Sequence, residues 1–397
     1  MNSQRSWWVL ALLSWSCGQE TERRVATAPL DTTVAELQTQ VGEVDGAPEY
    51  SFGDVSSVAI GESGRLYVAD RIGSTVRAYD FSGRVLATIG SEGRGPGEFE
   101  FPNDLAFDAD GRLYVRDYSR IAVFAAAVEG AIPDSLVHTV SLGGVSSPWS
   151  ARGRVVGATY YRPNYIFRNG ERLQYFYVAY DSTGRVGDTI RVPSLPNLAN
   201  LGPANYPIRA ELGRNLNGVN RAPFEPTAVW DMTPRASLIS SPGDRNEIVE
   251  WGPGNDTVGV IRLGEDQRPV PPREFDDSGR AFHIRLDSIP VPLDQVRGMS
   301  ATARSGQLPR VLPAVLALHV AANGDMWLRR WPPAHTSDQA IFDVLDNSGV
   351  PLRTVVIPRS LAQDPPPFVS RQFVAGVVID HETGTERIAV YRIPDRE

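Results

Sequence analysis

A repeated hairpin is the feature that most constrains how this chain can fold. Residues 105–117 read LAFDADGRLYVRD and residues 58–70 read VAIGESGRLYVAD, so two apolar runs flank the same turn in both segments. The turn glycines, Gly64 and Gly111, are 47 residues apart. An isolated hairpin is only marginally stable in water. Each copy must therefore belong to a larger sheet.

Further copies of the hairpin occur along the chain, at residues 318–328 and, in degenerate form with Gly153 at the turn, at residues 150–156. A second turn with an Asp and a Gly follows at residues 80–84, 181–185 and 346–349. Two hairpins per repeat make four strands, and a spacing in the forties is typical of β-propeller blades.

One segment resembles a known family. The loop GRGPGEFEFP at residues 93–102, followed by LAFDADGRLYVRD and by IAVF at residues 121–124, resembles the NHL-repeat type of β-propeller, in particular the six-bladed propeller lipoproteins of bacteria. The resemblance implies an all-β fold of six four-stranded antiparallel blades. It is specific for fold alone, because such propellers serve as binding modules, scaffolds and enzymes.

The repeats divide the chain into a propeller over residues 34–397, with blades at about residues 54–90, 103–142, 145–193, 226–263, 313–358 and 367–393. The last blade is one strand short, and residues 34–44 read as a strand without a hairpin partner. We expect this strand to join the last blade, closing the ring and removing exposed sheet edges. Residues 194–225 and 264–312 form long connections, the second with a short helix near residues 293–303.

The N-terminal segment reads as an export signal. Arg5 precedes an apolar run that is too short to span a bilayer but is typical of a signal peptide. The only cysteine, Cys17, lies in SWSCG, which resembles a lipobox, although Leu13 is four residues before it and Trp15 is bulky. We expect a signal peptide at residues 1–16, lipidation at Cys17, a tether at residues 17–33, and anchoring in the bacterial cell envelope on its periplasmic or outer-surface side. Ordinary secretion and an unmodified thiol are the alternatives.

Composition excludes several chemistries. The formal net charge is −8, which does not favour a nucleic-acid partner. The chain contains no lysine, so all 39 basic residues are arginine. Schiff-base chemistry and a P-loop are therefore excluded, and no GxSxG segment indicates a nucleophilic triad.

Propeller geometry predicts where ligands bind. The loops between second and third strands and between blades share one end of the ring, which we call the loop-rich face, and functional residues concentrate on loops held by a rigid scaffold. Several arginine and aromatic residues on this face form a candidate entrance for a carboxylate or sugar-like ligand: Arg71, Arg94, Arg116, Tyr118, Arg329, Arg330 and Trp331. The alternative is structural, with Asp70 and Asp117 capping their own loops and pairing with nearby arginines.

A metal site is the competing hypothesis, since amidating lyases with NHL-like propellers and lactonases with related six-bladed folds hold a metal near the central channel. The five histidines include no HxH or HExxH pair. His319 is a weak candidate ligand because it replaces Ala59 and Ala106 of the other copies on a channel strand. No cofactor is predicted for the binding hypothesis, and a divalent metal is expected only for the alternative.

Three functions remain open from the sequence. The leading hypothesis is an exported, lipid-anchored binding or scaffold module that recognises a protein, peptide or glycan partner through the loop-rich face and meets the membrane only through its anchor. The alternative is a metal-dependent lyase or lactonase with its ion in the central channel. A purely structural component of the envelope is the third.

Overall fold

The computed structural model describes residues 21–24, 30–43, 46–61, 63–126, 131–142, 152–168, 171–193, 222–252, 254–264, 268–287, 299–332, 338–380 and 384–395. The predicted signal peptide, Cys17 and most of the connection at residues 194–225 lie outside these ranges.

Six antiparallel four-stranded sheets form the blades, each built from strands that are consecutive in the chain except in the last blade. Blades one and two comprise Val55–Ile60, Leu66–Asp70, Thr75–Tyr79 and Val85–Ile89, then Asp104–Phe107, Leu113–Arg116, Arg120–Phe124 and Leu136–Ser141. Blades three and four comprise Arg154–Val156, Thr159–Arg168, Glu171–Tyr180 and Val186–Arg191, then Val229–Met232, Leu238–Ser241, Glu247–Trp251 and Thr257–Arg262. Blades five and six comprise Ala317–Val320, Met326–Arg330, Ala340–Leu345 and Pro351–Ile357, then Phe368–Val369, Phe373–Ile379, Glu386–Arg392 and Glu36–Val41.

The hydrophobic core lies between neighbouring blades. Successive side chains of a strand point to opposite faces of its sheet, so each blade presents one apolar face to the blade before it and one to the blade after it. Six buried clusters result, one for each of the six interfaces, including a cluster that joins blade six to blade one. The predicted fold class, a six-bladed β-propeller, is confirmed.

An N-terminal strand closes the ring, as predicted. Glu36–Val41 pairs antiparallel with Glu386–Arg392 and completes blade six. The preceding residues depart from the expected single strand at residues 34–44, because Thr32–Val34 pairs in parallel with Pro351–Ile357 of blade five. Thr21–Arg24 pairs in parallel with Thr257–Arg262 of blade four. The N-terminal chain thus follows the outer edges of blades four, five and six in turn.

The hairpin of blade three differs from the prediction. Gly153 was expected at the turn, but the first strand begins only at Arg154, and Gly157 occupies the turn with a φ of 58°. Gly153 instead lies between blades, where an added Cβ would clash with the Tyr160 hydroxyl. The arginines on either side of Gly153 are therefore placed at the channel rather than in a turn.

The connection between blades four and five contains helices Pro272–Asp287 and Ala301–Ser305, the second of which overlaps the end of the predicted helix near residues 293–303. Residues 288–298 are not among those described. Phe282 and Leu286 of the long helix pack with Met299 and Ala303, and Ala222 from the other long connection joins them. The described ends of the two long connections therefore pack together. No helix in the described part of the chain is long and apolar enough to cross a membrane.

Candidate functional site

Buried aspartates organise the loop-rich face of blades one and two. Asp70, at the end of a second strand, accepts hydrogen bonds from the backbone N–H groups of Gly53, Asp54 and Gly73 at 3.0–3.2 Å. Asp117 occupies the same position in blade two and accepts from the N–H groups of Glu100 and Phe101. Each carboxylate thus fixes the chain segment that arrives from the preceding blade.

Arg120 fixes the GRGPGEF loop. Its guanidinium donates to the carbonyl oxygens of four loop residues, Gly93, Arg94, Gly95 and Glu98, at 2.6–3.2 Å. Its Nε also pairs with Asp117 at 3.2 Å. The partly buried ion pair therefore links several backbone groups of the loop to the end of the second strand. Sequence reasoning did not single out Arg120, since its role depends on carbonyl groups that carry no side-chain signal.

Three large apolar side chains on these loops are exposed to solvent: Ile72, Phe101 and Tyr118. We call this set of residues the apolar loop surface. They are 70%, 49% and 44% exposed. The rings of Phe101 and Tyr118 meet edge to face with centroids 6.0 Å apart. The Ser74 hydroxyl, near Ile72 in sequence, donates to the Glu100 carbonyl beside Phe101 at 3.2 Å. The loops that carry the three residues are therefore joined.

The predicted arginines of blades one and two have protein partners. Arg71 pairs with Asp54 at 2.5 Å, and Arg94 pairs with Glu100 at 2.7 Å while most of its side chain remains in solvent. Arg116 is buried and faces blade three, because it lies opposite Asp104, whose carboxylate accepts from Gly153 N–H and the Tyr160 hydroxyl. Of the four predicted residues on these blades, Tyr118 belongs to the apolar loop surface and Arg94 lies in the adjoining loop.

The predicted residues of blade five lie in a different part of the molecule, across the ring from blade two. Arg329 is buried and donates to the Leu361 carbonyl at 2.9 Å. Arg330 pairs with Asp343 at 2.7 Å. Trp331 donates through Nε1 to Glu274 at 3.1 Å and packs against Phe224. The structure does not bring the seven predicted residues into one cluster.

Near the axis of the ring, two arginines make polar contacts between blades that the sequence did not predict. Arg154 of blade three donates to the Val320 carbonyl at 2.7 Å and lies 3.7 Å from Asp231 of blade four. Arg152 extends toward other blades, donating to the carbonyl oxygens of Val58 and Pro366 at 3.1 and 3.3 Å. The hairpin pattern assigned both arginines to a turn, so neither was expected near the axis.

His319 lies on the innermost strand of blade five, as expected, and is 5% exposed. Burial lowers the pKa of its imidazole to about 3, and the positive charges of Arg152 and Arg329 act in the same direction. The ring is therefore neutral at physiological pH. The side chains of His335 and His381 lie outside the described residues.

Desolvation on burial raises the pKa of the Asp231 carboxyl, and the positive charge of Arg154 partly opposes this rise. Within the described ranges, no three His, Cys, Asp or Glu side chains are grouped so that they could hold a metal ion. The charged groups described near His319 are mainly cationic.

Comparison with known proteins supports the fold. A family model described as a 6-bladed beta-propeller, DUF5128, matches residues 45–128. A search of the curated proteins gives no match.

Solved structures are similar over most of their length but at low identity. A member of the DUF4221 family from Bacteroides vulgatus ATCC 8482 is 10% identical with a TM-score of 0.50, and the match covers 92% of this chain and 98% of that one. Regucalcin, a calcium-binding protein from Agrobacterium tumefaciens str. C58, is 11% identical with a TM-score of 0.40, covering 93% and 97%. A catalytically inactive virginiamycin B lyase from Staphylococcus aureus is 10% identical with a TM-score of 0.38, covering 89% and 87%.

Structural similarity at such low sequence identity indicates the fold of a chain but not its activity. The ring of six four-stranded blades, the family match over blades one and two, and the similarity to the Bacteroides structure lead to one conclusion: this chain is a six-bladed β-propeller.

Proposed function

We propose that this protein is an exported, lipid-anchored binding module that recognises a protein or peptide partner through the apolar loop surface. The observation that carries the proposal is the joint exposure of Ile72, Phe101 and Tyr118 on loops fixed by buried carboxylates. The exposed rings of Phe101 and Tyr118 contact each other, exposed apolar patches commonly mark interaction sites, and aromatic residues are enriched among the residues that dominate binding energy.

The rigidity of the loops supports this function. Ordering a flexible loop on binding costs free energy, whereas a loop that is already ordered avoids most of that cost. Asp117 and Arg120 hold the segment around Phe101 before any partner arrives. Arg94, exposed beside this surface, offers a charged contact at its rim. A peptide with an apolar side chain and a nearby carboxylate fits this combination better than a purely polar glycan.

The course of the N-terminal chain is compatible with anchoring at Cys17. Thr21, four residues after Cys17, begins the strand on the outer edge of blade four. Blade four lies across the ring from blade one, which carries Ile72. A lipid on Cys17 would therefore be joined to the chain four residues before a strand of blade four, and not next to the blades that carry the apolar loop surface. We expect Cys17→Ser to move the protein from the membrane fraction to the soluble fraction, whereas unchanged membrane association would contradict lipidation.

A peptide library tests the binding function without a known partner. The immobilised protein is used to select from random peptides, and the selected peptides are measured by fluorescence anisotropy. We expect enriched sequences with an aromatic or aliphatic anchor, whose affinity falls at least about tenfold in Phe101→Ser and Tyr118→Ser, because truncating a hot-spot residue costs about 2 kcal/mol or more.

Val137→Ser is the matched control, since Val137 is similarly exposed but lies on the outer strand of blade two. Peptides that bind all four proteins equally, or a selection without enrichment, would argue against the proposed surface.

A further inference from the structure

The charges described near the axis of the propeller do not balance. Three arginines, Arg152, Arg154 and Arg329, accompany two carboxylates: Asp104, which accepts from the Gly153 N–H and the Tyr160 hydroxyl, and Asp231, which accepts from the backbone N–H groups of Met232 and Val320. Arg154 is within ion-pair distance of Asp231. Arg152 and Arg329 bond to neutral oxygens among the described residues, namely main-chain carbonyls and the Ser360 hydroxyl.

A buried cation without a counterion is costly, since removing a charge from water is repaid only by an opposite charge and good hydrogen bonds. Arg329 is 6% exposed, and burial alone lowers the pKa of its guanidinium to about 10. An anion bound beside it would offset this cost. The local excess of positive charge stands against a formal net charge of −8 for the whole chain.

His319 is the second, independent observation. Its side chain is 5% exposed, and the ring contact described for it is with Phe342, whose centroid lies 6.2 Å away. Buried polar groups in native proteins are normally satisfied by protein, water or ligand. A neutral imidazole offers one donor and one acceptor, and this one lies in the combined field of Arg152 and Arg329.

We propose that Arg152, His319 and Arg329 form an axial anion site that binds a small organic carboxylate. A guanidinium matches the planar carboxylate with two parallel hydrogen bonds, and the neutral imidazole offers a further donor. The surroundings suit the carbon body of such a ligand: Pro366 and Pro367 adjoin Arg152, and the Phe342 ring lies 6.2 Å from the imidazole.

Phosphate and sulfate fit this place less well. Sites for these anions typically use several free backbone N–H groups at a helix N-terminus or in a nest. The N–H groups of Leu318 and Val320 beside His319 belong to a strand, and that of Val320 donates to Asp231. The proposed carboxylate site does not depend on the apolar loop surface, which lies on other blades.

Calorimetry on the full chain tests the site with defined probes, namely benzoate and succinate, with benzyl alcohol, inorganic phosphate and sulfate for comparison, all at constant ionic strength. We expect saturable one-to-one binding of at least one carboxylate and none of benzyl alcohol. Arg152→Gln should weaken binding at least about tenfold, because it removes a charge-assisted hydrogen bond. Arg280→Gln changes the net charge equally at a solvent-exposed position of the helix Pro272–Asp287 and should leave the affinity unchanged.

His319→Phe provides a second variant that retains the apolar packing but removes both nitrogens, and it should also weaken binding. NMR spectroscopy provides a measurement independent of calorimetry. The ring ¹⁵N signals of His319 should shift on addition of the carboxylate, because a bound anion offsets the electric field of the two arginines. Absence of carboxylate binding, equal affinity for phosphate or sulfate, or equal affinity in Arg152→Gln and the unchanged protein would each overturn the proposal.

Discussion

Single aspartates at strand ends decide the shape of the loop-rich face. Asp117 is 1% exposed and satisfies the N–H groups of Glu100 and Phe101 as well as the guanidinium of Arg120. This agrees with the structural alternative considered from the sequence, in which Asp70 and Asp117 cap their own loops. The carboxylates do not contact a ligand themselves, but they position the side chains that we propose do.

We expect Asp117→Asn to lower the free energy of unfolding by about 2 kcal/mol, because hydrogen bonds to a buried charge are among the stronger ones and the amide cannot accept all of them. Urea denaturation measures the loss. Asp110→Asn is the control, since Asp110 lies in the turn before the strand Leu113–Arg116 and its largely exposed side chain pairs with Arg112. A similar loss in both variants would contradict a special role for Asp117.

The turns between third and fourth strands predict a dependence on pH. Asp80 accepts from the Ser82 hydroxyl and from the backbone N–H groups of Ser82 and Arg84. The hydroxyl bond is the main cause that lowers the pKa of Asp80 from 3.8 to about 2. Because the folded pKa is the lower one, the stabilisation is present above about pH 4 and is lost as the pH falls toward 2.

The urea midpoint of Asp80→Asn should therefore lie below that of the unchanged protein at pH 6, and the difference should shrink as the pH falls to about 2.5. Ser82→Ala keeps the carboxylate but removes the hydroxyl donor, so it should show a smaller difference of the same sign. A difference that does not change between these pH values would contradict the assigned pKa.

At the scale of elements, the N-terminal strand Glu36–Val41 is what completes the ring. Val41 is buried in the cluster shared by blades six and one, whereas Leu37 of the same strand is 56% exposed. The two positions therefore separate the strand's contribution to the core from its backbone pairing.

We expect Val41→Asp to destabilise the protein by more than about 3 kcal/mol, because it buries a charge without a partner. Leu37→Asp should change the stability by less than about 0.5 kcal/mol, as is usual for exposed positions. Thermal and urea unfolding of both variants measure this. Equal effects at the two positions would show that the strand does not seal the interface between the first and last blades.

The helix Pro272–Asp287, between blades four and five, is held to the propeller by Trp331. Trp331 packs against Phe224 and donates to Glu274 in the first turn of the helix Pro272–Asp287. We expect Trp331→Ala to increase hydrogen exchange in this helix without changing exchange in the inner strands of blades one and two, because the substitution removes packing and a hydrogen bond only around the long connections. Unchanged exchange in the helix would show that Trp331 does not hold it.

How far the sequence predicts this molecule depends on the kind of signal. The hairpins of blades one and two repeat the same turn residues, so their four strands and the closing strand could be predicted. In blade three the glycine pattern pointed to Gly153, while the structure uses Gly157. The channel arginines were missed for that reason, since an error of a few residues in register moves a side chain from a turn to the axis.

The candidate binding residues were predicted less well than the fold. Tyr118 was singled out, but Ile72 and Phe101 were not, because isolated apolar residues in loops carry no periodicity. Some of the predicted arginines donate to groups from distant parts of the chain, as Arg330 does to the side-chain oxygen of Asn246, 84 residues away. Such partners become visible only when the blades are assembled.

In the molecule as a whole, three parts of the ring have different roles. The interfaces between blades supply stability, the loops of blades one and two present the apolar loop surface, and the axis carries the proposed anion site. The N-terminal chain runs along the outer edges of blades four to six.

The most direct test of binding through the apolar loop surface is site-specific photocrosslinking in the intact cell. A photoreactive phenylalanine derivative replaces Tyr118, Phe101 or, as the control, Val137, and adducts are detected after irradiation. We predict discrete adducts of the same mass from positions 118 and 101 and none from position 137. No adduct from either loop position, or the same adducts from all three positions, would contradict a partner bound at this surface.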